Sequence, residues 1–432
     1  MNQENPKKLQ GSMRDEKNIF TICLILSIIF ASVGLAAEKK ITLRFANWGS
    51  TEKATSDIFK KMISDFEAKN PSIQIDSVSF PYGDIKQQVL VMSAAGDVLD
   101  VVQAERAMVD SYIGSGYVSE VEHYFGKNYL NDFYPNILGD LKSGGKLYGI
   151  PWIASPWILI YNKELFAKAG LNPNSPPKNM IQLMDAAAKL SELKDKDGNS
   201  VYGLGETTGN VPISGASIYR VMLSFGGGIW SKKGKVVVNT KENVEAFKYL
   251  KTLYEKKYNP ETAKLKDLRN LMAIGRLGMY FDQAWGIGGV FGINPAIKPQ
   301  IGMAPIPATG VTNGLSNLSA HVLCIMKDSK HKKEAAKFIE FITSKDTLVD
   351  LYKQTPFFAP RMSVDNLPEF HDPMLKGAKD GVKQIVPLAK QNPNYENAYL
   401  ELVNAAQRVT LAHEAPETVI KNLETKLQTI LK

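Results

Sequence analysis

Cysteine is scarce in this sequence, and long apolar runs are nearly absent. The 432 residues include two cysteines. One of them, Cys23, lies in the single strongly apolar segment, residues 19–37, which reads IFTICLILSIIFASVGLAA. Basic residues precede this segment, and Gly34 and Ala36 are the small residues that a signal peptidase requires. Residues 1–36 are therefore predicted to be a secretory signal peptide.

Removal of this segment would leave one cysteine in the mature chain. Cys324 then has no partner, so a disulfide within the mature chain is excluded, and its apolar neighbours predict a buried thiol in a strand. A membrane anchor stays open as an alternative for the leader, because the apolar run is close to the lower length limit for spanning a bilayer. Lipidation is disfavoured, since Ile22 before Cys23 is not small. The predicted location is the periplasm, without a lipid anchor.

Local motifs of several enzyme classes are also missing. Ser50–Lys53 fits the S-x-x-K pattern, but its S-D-N and K-T-G companions do not occur. The five histidines are scattered, with no H-E-x-x-H spacing. The sequence therefore predicts no metal, no cofactor and no enzymatic activity. A glycoside hydrolase stays open, because two carboxylates at a suitable separation need no local pattern.

Positive charge exceeds negative charge but is not concentrated. Lys and Arg number 52 against 44 Asp and Glu, a formal net charge of +8. The lysines recur singly or in pairs on helical patterns rather than in one patch interleaved with aromatic residues. A solvated basic surface is predicted, and nucleic acid is not predicted as a partner.

Strand and helix patterns alternate after the leader. Ile41–Gly49 alternates apolar and polar residues, as a strand does, and an apolar stripe from Ile58 to Phe66 predicts a helix. Ile73–Val78 and Asp100–Gln103 predict further strands. This alternation predicts an α/β fold with a doubly wound sheet. The length and the 44% apolar composition allow more than one core.

The most distinctive segment is Lys146–Gly170, KLYGIPWIASPWILIYNKELFAKAG. Pro151 fixes its own φ and cannot donate to a ladder, so a bend is expected beside it. Trp157–Tyr161 is an apolar run of residues that favour strands. Glu164–Ala169 then consists mainly of good helix formers, and Gly170 stands where a helix C-cap belongs.

This segment is similar to the hallmark of bacterial extracellular solute-binding proteins of family 1, the group that includes maltose-binding protein. Ile158 departs from the small residue that the family prefers. Ala94–Val102 resembles the family's turn before a strand, although Leu99 replaces the usual Pro. Met279–Trp285 and Leu315–Leu318 resemble two later family segments in the same order. The resemblance therefore extends over nearly the whole mature chain.

The resemblance implies a two-lobed periplasmic-binding-protein-like fold of type II, in which each lobe is a doubly wound sheet flanked by helices. The chain is expected to cross between the lobes near 149–152, 296–302 and 352–358, and these crossings would form a hinge. Lobe 1 would contain residues 37–150 and 300–352. Lobe 2 would contain residues 151–299 and 353–432.

The candidate site residues follow from the chemistry of sugars and from the resemblance. A pyranose has an apolar face and a rim of hydroxyls, so its site needs aromatic planes and fixed hydrogen-bonding groups. The aromatic candidates are Trp48, Tyr82, Trp157, Trp230, Trp285 and Phe358. The polar candidates are Glu105, Ser155, Asp282, Ser316, Asn317 and Arg361. A structural role stays open for any single tryptophan, a helix-capping role for Glu105 and a surface role for Arg361.

The resemblance also implies a function. The protein is expected to be the monomeric soluble receptor of an ATP-driven importer, which binds a mono- or oligosaccharide between its lobes and delivers it to a membrane permease. One alternative is the same role for an anionic solute, such as glycerol-phosphate or an acidic sugar, because Arg361 could bind a carboxylate or phosphate. A second alternative is a secreted glycan-active enzyme.

Overall fold

The computed structural model describes residues 40–432 apart from 54, 232, 355–356, 373, 375 and 388–391. The predicted signal peptide and its cleavage site lie outside the described residues. Within the described part of the chain, no helix combines the length and the apolar character needed to cross a bilayer.

The strands form a mixed central sheet and one separate hairpin. The sheet order is β2-β1-β3-β10-β6-β8-β7, with β11 beside β10 and β9 beside β6, while β4 and β5 form the hairpin. The strands are β1 Ile41–Asn47, β2 Ile73–Ser79, β3 Val101–Glu105, β4 Lys142–Ser143, β5 Lys146–Leu147, β6 Ile150–Asn162, β7 Tyr202–Gly205, β8 Leu277–Gln283, β9 Ile301–Ala304, β10 Ser316–Ile325 and β11 Ile385–Val386.

Helices cover the sheet and fill the connections. The α-helices are α1 Ser56–Lys69, α2 Ile85–Ala94, α3 Arg106–Gly114, α4 Lys127–Asn131, α5 Pro135–Gly139, α6 Lys163–Lys168, α7 Met180–Ser191, α8 Pro212–Ser224, α9 Lys241–Glu255, α10 Leu265–Ala273, α11 Ile287–Ile293, α12 Lys332–Ile342, α13 Lys345–Gln354, α14 Met362–Asp365, α15 Lys376–Val382, α16 Tyr395–Thr410 and α17 Pro416–Ile430. Short 3-10 turns lie at Glu122–Tyr124, Ala284–Gly286, Pro295–Gln300 and Pro368–Phe370.

The long strand β6 belongs to both lobes. Its first half, from Ile150 to Pro156, pairs antiparallel with β10. Its second half, from Trp157 to Asn162, pairs antiparallel with β8 and β9. Every residue of β6 is buried, as expected for an apolar strand covered on both faces. The predicted α/β architecture is confirmed, and the sheets of the two lobes are continuous through β6.

The end of β6 explains the Tyr161-Asn162-Lys163 motif. The Asn162 side chain accepts hydrogen bonds from the backbone N–H of Glu164 and Leu165 at 2.9 and 3.1 Å, and so caps α6. The Tyr161 hydroxyl donates to the Pro173 carbonyl at 3.1 Å, and its ring packs on Phe166. The strand, the helix and the following loop are thus held together in lobe 2.

Two separate apolar cores lie on either side of this strand. The lobe 1 core contains buried residues from Leu43 to Ala154 and from Leu318 to Ile385. The lobe 2 core contains buried residues from Trp157 to Ile306 and from Tyr395 to Leu431. The chain therefore passes between the cores inside β6, between Ile306 and Leu318, and between Ile385 and Tyr395.

All three passages lie later in the chain than the sequence predicted. The first was expected near 149–152, but Trp152 and Ala154 belong to the lobe 1 core. The second was expected near 296–302, but β9 pairs with β6 in lobe 2, with Tyr161 opposite Gly302. The third was expected near 352–358, but Phe357 and Phe370 pack into the lobe 1 core. Strand pairing sets the position of the second passage and ring packing that of the third. Neither interaction can be recognised from the neighbouring sequence.

The predicted strand thiol is confirmed. Cys324 is a free, fully buried cysteine of β10, where it lies opposite Val102 of β3. Burial raises the pKa of its thiol to about 12, because the thiolate would lose its hydration.

A close approach of α8 and α16 supplies a test of lobe 2 packing. A Cβ atom on Gly215 would lie 2.1 Å from the backbone oxygen of Tyr399, so Gly215→Ala must push the helices apart. We expect the free energy of unfolding to fall by about 1–3 kcal/mol. Gly139→Ala in α5 is the matched control, because nothing lies within 4 Å of its Cβ position. Equal denaturation midpoints for the two variants would contradict this packing.

Candidate ligand-binding site

A pocket lies between the lobes, next to the positions where the chain passes from one core to the other. It has an empty volume of about 490 Å³, including space open to solvent. Both lobes and the β6–β10 junction contribute to its wall. The lining residues are Tyr82, Glu105, Arg106, Ala107, Trp157, Pro212, Ile213, Ala216, Asn317, Leu318, Ser319, Glu396 and Tyr399.

One face of β10 carries three polar side chains toward this region. Side chains alternate along a strand, so Asn317, Ser319 and His321 lie on the same face. The Asn317 Oδ1, Ser319 Oγ and His321 Nδ1 atoms are buried and have no hydrogen-bond partner among the described residues. A buried polar atom without a partner costs about 1–3 kcal/mol. This row, named here the β10 polar row, is therefore suited to hydrogen-bond a ligand or water.

Glu105 stands at the end of β3, directly opposite His321 in the β3–β10 register. Its side chain accepts a hydrogen bond from the backbone N–H of Ala107 at 2.8 Å and caps α3. Glu105 therefore has the helix-capping role that was the alternative, and it also lines the pocket. Ends of strands and starts of helices are where open α/β sheets place ligand-binding groups.

The Glu105 carboxyl titrates far from its ordinary range. Burial and the nearby Glu396 carboxylate raise its pKa to about 7, against the opposing effect of the Ala107 N–H. Glu396 extends from α16 of lobe 2 and forms an ion pair with Lys86 of α2 in lobe 1. This pair joins the two lobes across the pocket.

Two predicted tryptophans contact His321 at the end of the β10 polar row, but neither they nor His321 line the pocket. The Trp48 ring lies edge-on to Tyr82 at 5.4 Å and to His321 at 4.9 Å between centroids. The Trp285 ring, from the turn after β8, lies 4.6 Å from His321 between centroids. Burial lowers the pKa of His321 to about 3, so its imidazole is neutral at physiological pH.

Several predicted residues support the crossing strands instead of lining the pocket. Ser155 Oγ accepts a hydrogen bond from the Ala284 N–H at 2.6 Å, and Ser316 Oγ accepts one from the Trp157 N–H at 3.1 Å. Asp282 is fully buried and receives two hydrogen bonds from the Arg269 guanidinium, at 2.7 and 2.9 Å.

Three other predicted residues lie away from the pocket. Phe358 is buried in the lobe 1 core against Tyr134. The Trp230 indole packs on the lobe 2 core, and its N–H donates to the Tyr395 hydroxyl at 2.5 Å. Arg361, which was expected to bind the carboxylate or phosphate of an anionic solute, also lies outside the pocket.

The Arg361 guanidinium is bound within lobe 1. Its Nε donates to Asp132 at 2.8 Å and its Nη1 to the Thr343 carbonyl at 2.9 Å. The same group lies 5.1 Å above the Tyr129 ring. These contacts tie the residue before α14 to the C-terminal ends of α4 and α12, and Arg361 does not line the pocket.

The sequence prediction did not include several residues of this region: Ser319, Glu396 and Tyr399 are polar lining residues of the pocket, and His321 ends the β10 polar row. The β10 segment SNLSAH alternates polar and apolar residues inside an otherwise apolar run, and this pattern could have indicated Ser319 and His321. Glu396 and Tyr399 lie on α16, which looks like an ordinary amphipathic helix. Only its packing across α8 brings these two side chains to the pocket.

The family model for bacterial extracellular solute-binding proteins matches residues 49–348. The chain belongs to this family. The resemblance inferred from the Lys146–Gly170 segment is thereby confirmed. Members of the family are binding proteins, and the interlobe pocket lies where such a protein can enclose a solute.

Individual relatives are distant but similar over most of their length. A binding protein of Brucella abortus (strain 2308) is 26% identical over 412 residues, which cover 94% of this chain and 97% of the relative. The arabinooligosaccharide-binding protein of Bacillus subtilis (strain 168) is 24% identical over 340 residues, 74% of this chain and 75% of the relative.

A solved structure supports the fold. An ABC transporter solute-binding protein from Thermotoga lettingae, bound with α-D-tagatose, superposes with a TM-score of 0.80 at 24% identity. The match covers 91% of this chain and 100% of the other.

The raised pKa of Glu105 predicts a pH-dependent stability. The folded state retains the Glu105 proton up to about pH 7, whereas the unfolded state loses it near the ordinary value of 4.5. The folded state therefore binds more protons between these values, and stability falls as the pH rises through this window. Glu105→Gln has no carboxyl group to titrate, so its stability lacks this decrease. The melting temperature of wild type minus that of Glu105→Gln should therefore become smaller between pH 4.5 and pH 8.

The control for this titration is Glu192→Gln, which changes an exposed glutamate at the end of α7. Its melting temperature relative to wild type should change less with pH. A constant difference between wild type and Glu105→Gln across the same range would contradict the raised pKa.

Proposed function

We propose that this protein is the monomeric, periplasmic receptor of an ATP-driven importer and that it binds a carbohydrate between its lobes. Family membership supports the receptor role. The proposal also assigns it a membrane permease as partner, and binding without chemical turnover. The carbohydrate class rests on the pocket itself.

The observation that carries the proposal is the β10 polar row beside aromatic rings. Sugar hydroxyls both donate and accept hydrogen bonds, so they can pair with Asn317 Oδ1, Ser319 Oγ and His321 Nδ1. The apolar face of a sugar ring packs favourably on aromatic side chains such as Trp157 and Trp285. A purely apolar ligand would leave the polar row unpaired.

The relatives support the same class of ligand. The Bacillus subtilis relative is named as a binding protein for arabinooligosaccharides, and the Thermotoga lettingae structure contains tagatose. Other structures with this fold contain maltose and maltotetraose. These ligands share hydroxyl rims and apolar ring faces.

Ligand entry requires the lobes to separate. Side chains of both lobes line the pocket, and the Lys86–Glu396 ion pair joins the lobes beside it. A solute held there would therefore contact both lobes. We infer that the lobes open to admit the solute and that contacts from both lobes then favour the closed arrangement, which the permease would recognise.

Two alternatives lose support from the pocket. An anionic solute would face Glu105 and Glu396, and the Arg361 guanidinium that was expected to bind it is paired with Asp132. A glycan-active enzyme would need two carboxylates that act on one bond. Glu396 forms an ion pair with Lys86 in this arrangement of the lobes, so it is not free to act as the second carboxylate.

A ligand screen tests the carbohydrate proposal. We expect neutral mono- or oligosaccharides to raise the melting temperature, because a ligand that binds only the folded state stabilises it by mass action. Chromatography of each sugar after incubation should show no product. A screen in which no sugar shifts the melting temperature would contradict the proposal, and turnover would replace it with the enzyme alternative.

Substitution of Trp285 tests whether an aromatic ring beside the β10 polar row contributes to sugar binding. Trp285→Ala should weaken binding of the sugar identified in the screen by about ten-fold or more, since a buried aromatic contact contributes about 1–3 kcal/mol. Trp285→Phe should retain most of the affinity. Arg361→Ala is the control for a residue outside the pocket, and it should lower stability but leave affinity unchanged. Wild-type affinity in a folded Trp285→Ala variant would remove Trp285 from the site.

A further inference from the structure

Negative charge is concentrated at the pocket although the whole protein is basic. The formal net charge of the chain is +8, yet two carboxylates, Glu105 and Glu396, line the pocket. The pocket wall thus carries more acidic than basic side chains, since Arg106 is its only lysine or arginine among the described residues.

Cations near the pocket are already matched by carboxylates. The buried Arg106 guanidinium binds Asp110 at 2.9 Å and Asp140 at 2.6 Å, so one cation faces two anions. The Arg269 guanidinium of lobe 2 forms an ion pair with Asp282. Among the described residues, no lysine or arginine forms an ion pair with Glu105. Glu105 is therefore the acidic group of the pocket wall for which the described residues provide no cationic partner.

The hydrogen-bonding capacity of the wall has the same bias. Asn317 Oδ1 is a buried acceptor without a partner among the described residues, on a side chain that is 3% exposed. Together with the Glu105 and Glu396 carboxylates it gives the pocket an excess of acceptors. A ligand that donates hydrogen bonds, and best of all one that also carries positive charge, satisfies such a wall.

The structure itself places an ammonium group at Glu396. The Lys86 Nζ approaches the Glu396 carboxylate from lobe 1, and both side chains are only about a quarter exposed. An ammonium nitrogen can therefore occupy the pocket edge between the lobes. Separation of the lobes would take Lys86 of lobe 1 away from Glu396 of lobe 2 and would free that carboxylate for a cation from solution.

We propose that the solute is an amino sugar, whose protonated amine binds between Glu105 and Glu396 while its hydroxyls bind the β10 polar row. This inference rests on the proposed function and narrows its ligand class. A hydrogen bond to a charged group contributes about 1.4 kcal/mol more than one between neutral groups, which is a factor of about ten in affinity. An amine is thus expected to bind about ten-fold more tightly than the corresponding hydroxyl.

Calorimetric titration with matched sugars tests the inference. Glucosamine, glucose and glucuronate form one series, and the corresponding disaccharides of each form a second. We expect the amino member to bind about ten-fold more tightly than the neutral member, and the carboxylate member to bind least. Raising the salt concentration should reduce the advantage of the amine.

Two variants distinguish charge recognition from a structural ion pair. Glu396→Gln should bring the amine-to-hydroxyl affinity ratio close to one. Lys86→Gln should raise that ratio, because it removes the ammonium that competes for Glu396. If the ion pair only holds the lobes together, both variants would instead weaken all sugars equally and leave the ratio unchanged. Glu401→Gln, on the same helix and paired with Lys426 at 2.8 Å, should leave the ratio as in wild type.

The outcomes separate this inference from the proposed function. Equal affinities for the amino and neutral members, or tighter binding of the carboxylate member, would overturn the amino-sugar inference while leaving a carbohydrate receptor. Absence of binding by every member of both series, together with a negative result in the wider sugar screen, would overturn both proposals.

Discussion

The rest of the structure depends on the pairing of β6 with strands of both lobes. Backbone groups buried in two different cores must all find partners, since each unpaired one costs free energy. β6 meets this demand with β10 along its first half and with β8 and β9 along its second half. Its side chains supply Trp152 to one core and Trp157 to the other. The same strand therefore joins the lobes and sets where they separate.

The pocket follows from that constraint. Because β10 begins where the chain passes from lobe 2 into lobe 1 and runs beside β6, the polar residues in its first part come to lie at the junction. A row of Asn317, Ser319 and His321 inside an apolar strand would be costly in an ordinary core. At a junction that opens, the same atoms can exchange water for solute. The cost is thus confined to the place where a ligand can offset it.

How far the sequence predicts this protein depends on the range of the interactions. The Tyr161–Asn162 junction was predictable, because a strand, a cap and a helix follow one another within about ten residues. The passage near Ile306 was not, because it is decided by pairing with residues about 140 positions earlier. Arg361 was misplaced for a similar reason, since Asp132 lies far from it in sequence. Glu396 reaches the pocket only through the packing of α16 on α8.

Cys324 gives lobe 1, but not lobe 2, a thiol that a reagent can label. The predicted mature chain carries this thiol alone, inside the lobe 1 sheet, and lobe 2 carries none. A thiol with a pKa near 12 is unreactive toward alkylating reagents while the sheet is intact. The rate at which an alkylating reagent labels Cys324 therefore measures how often the lobe 1 sheet opens, with no contribution from lobe 2. In an oxidising compartment, the same burial keeps folded molecules from joining through disulfides.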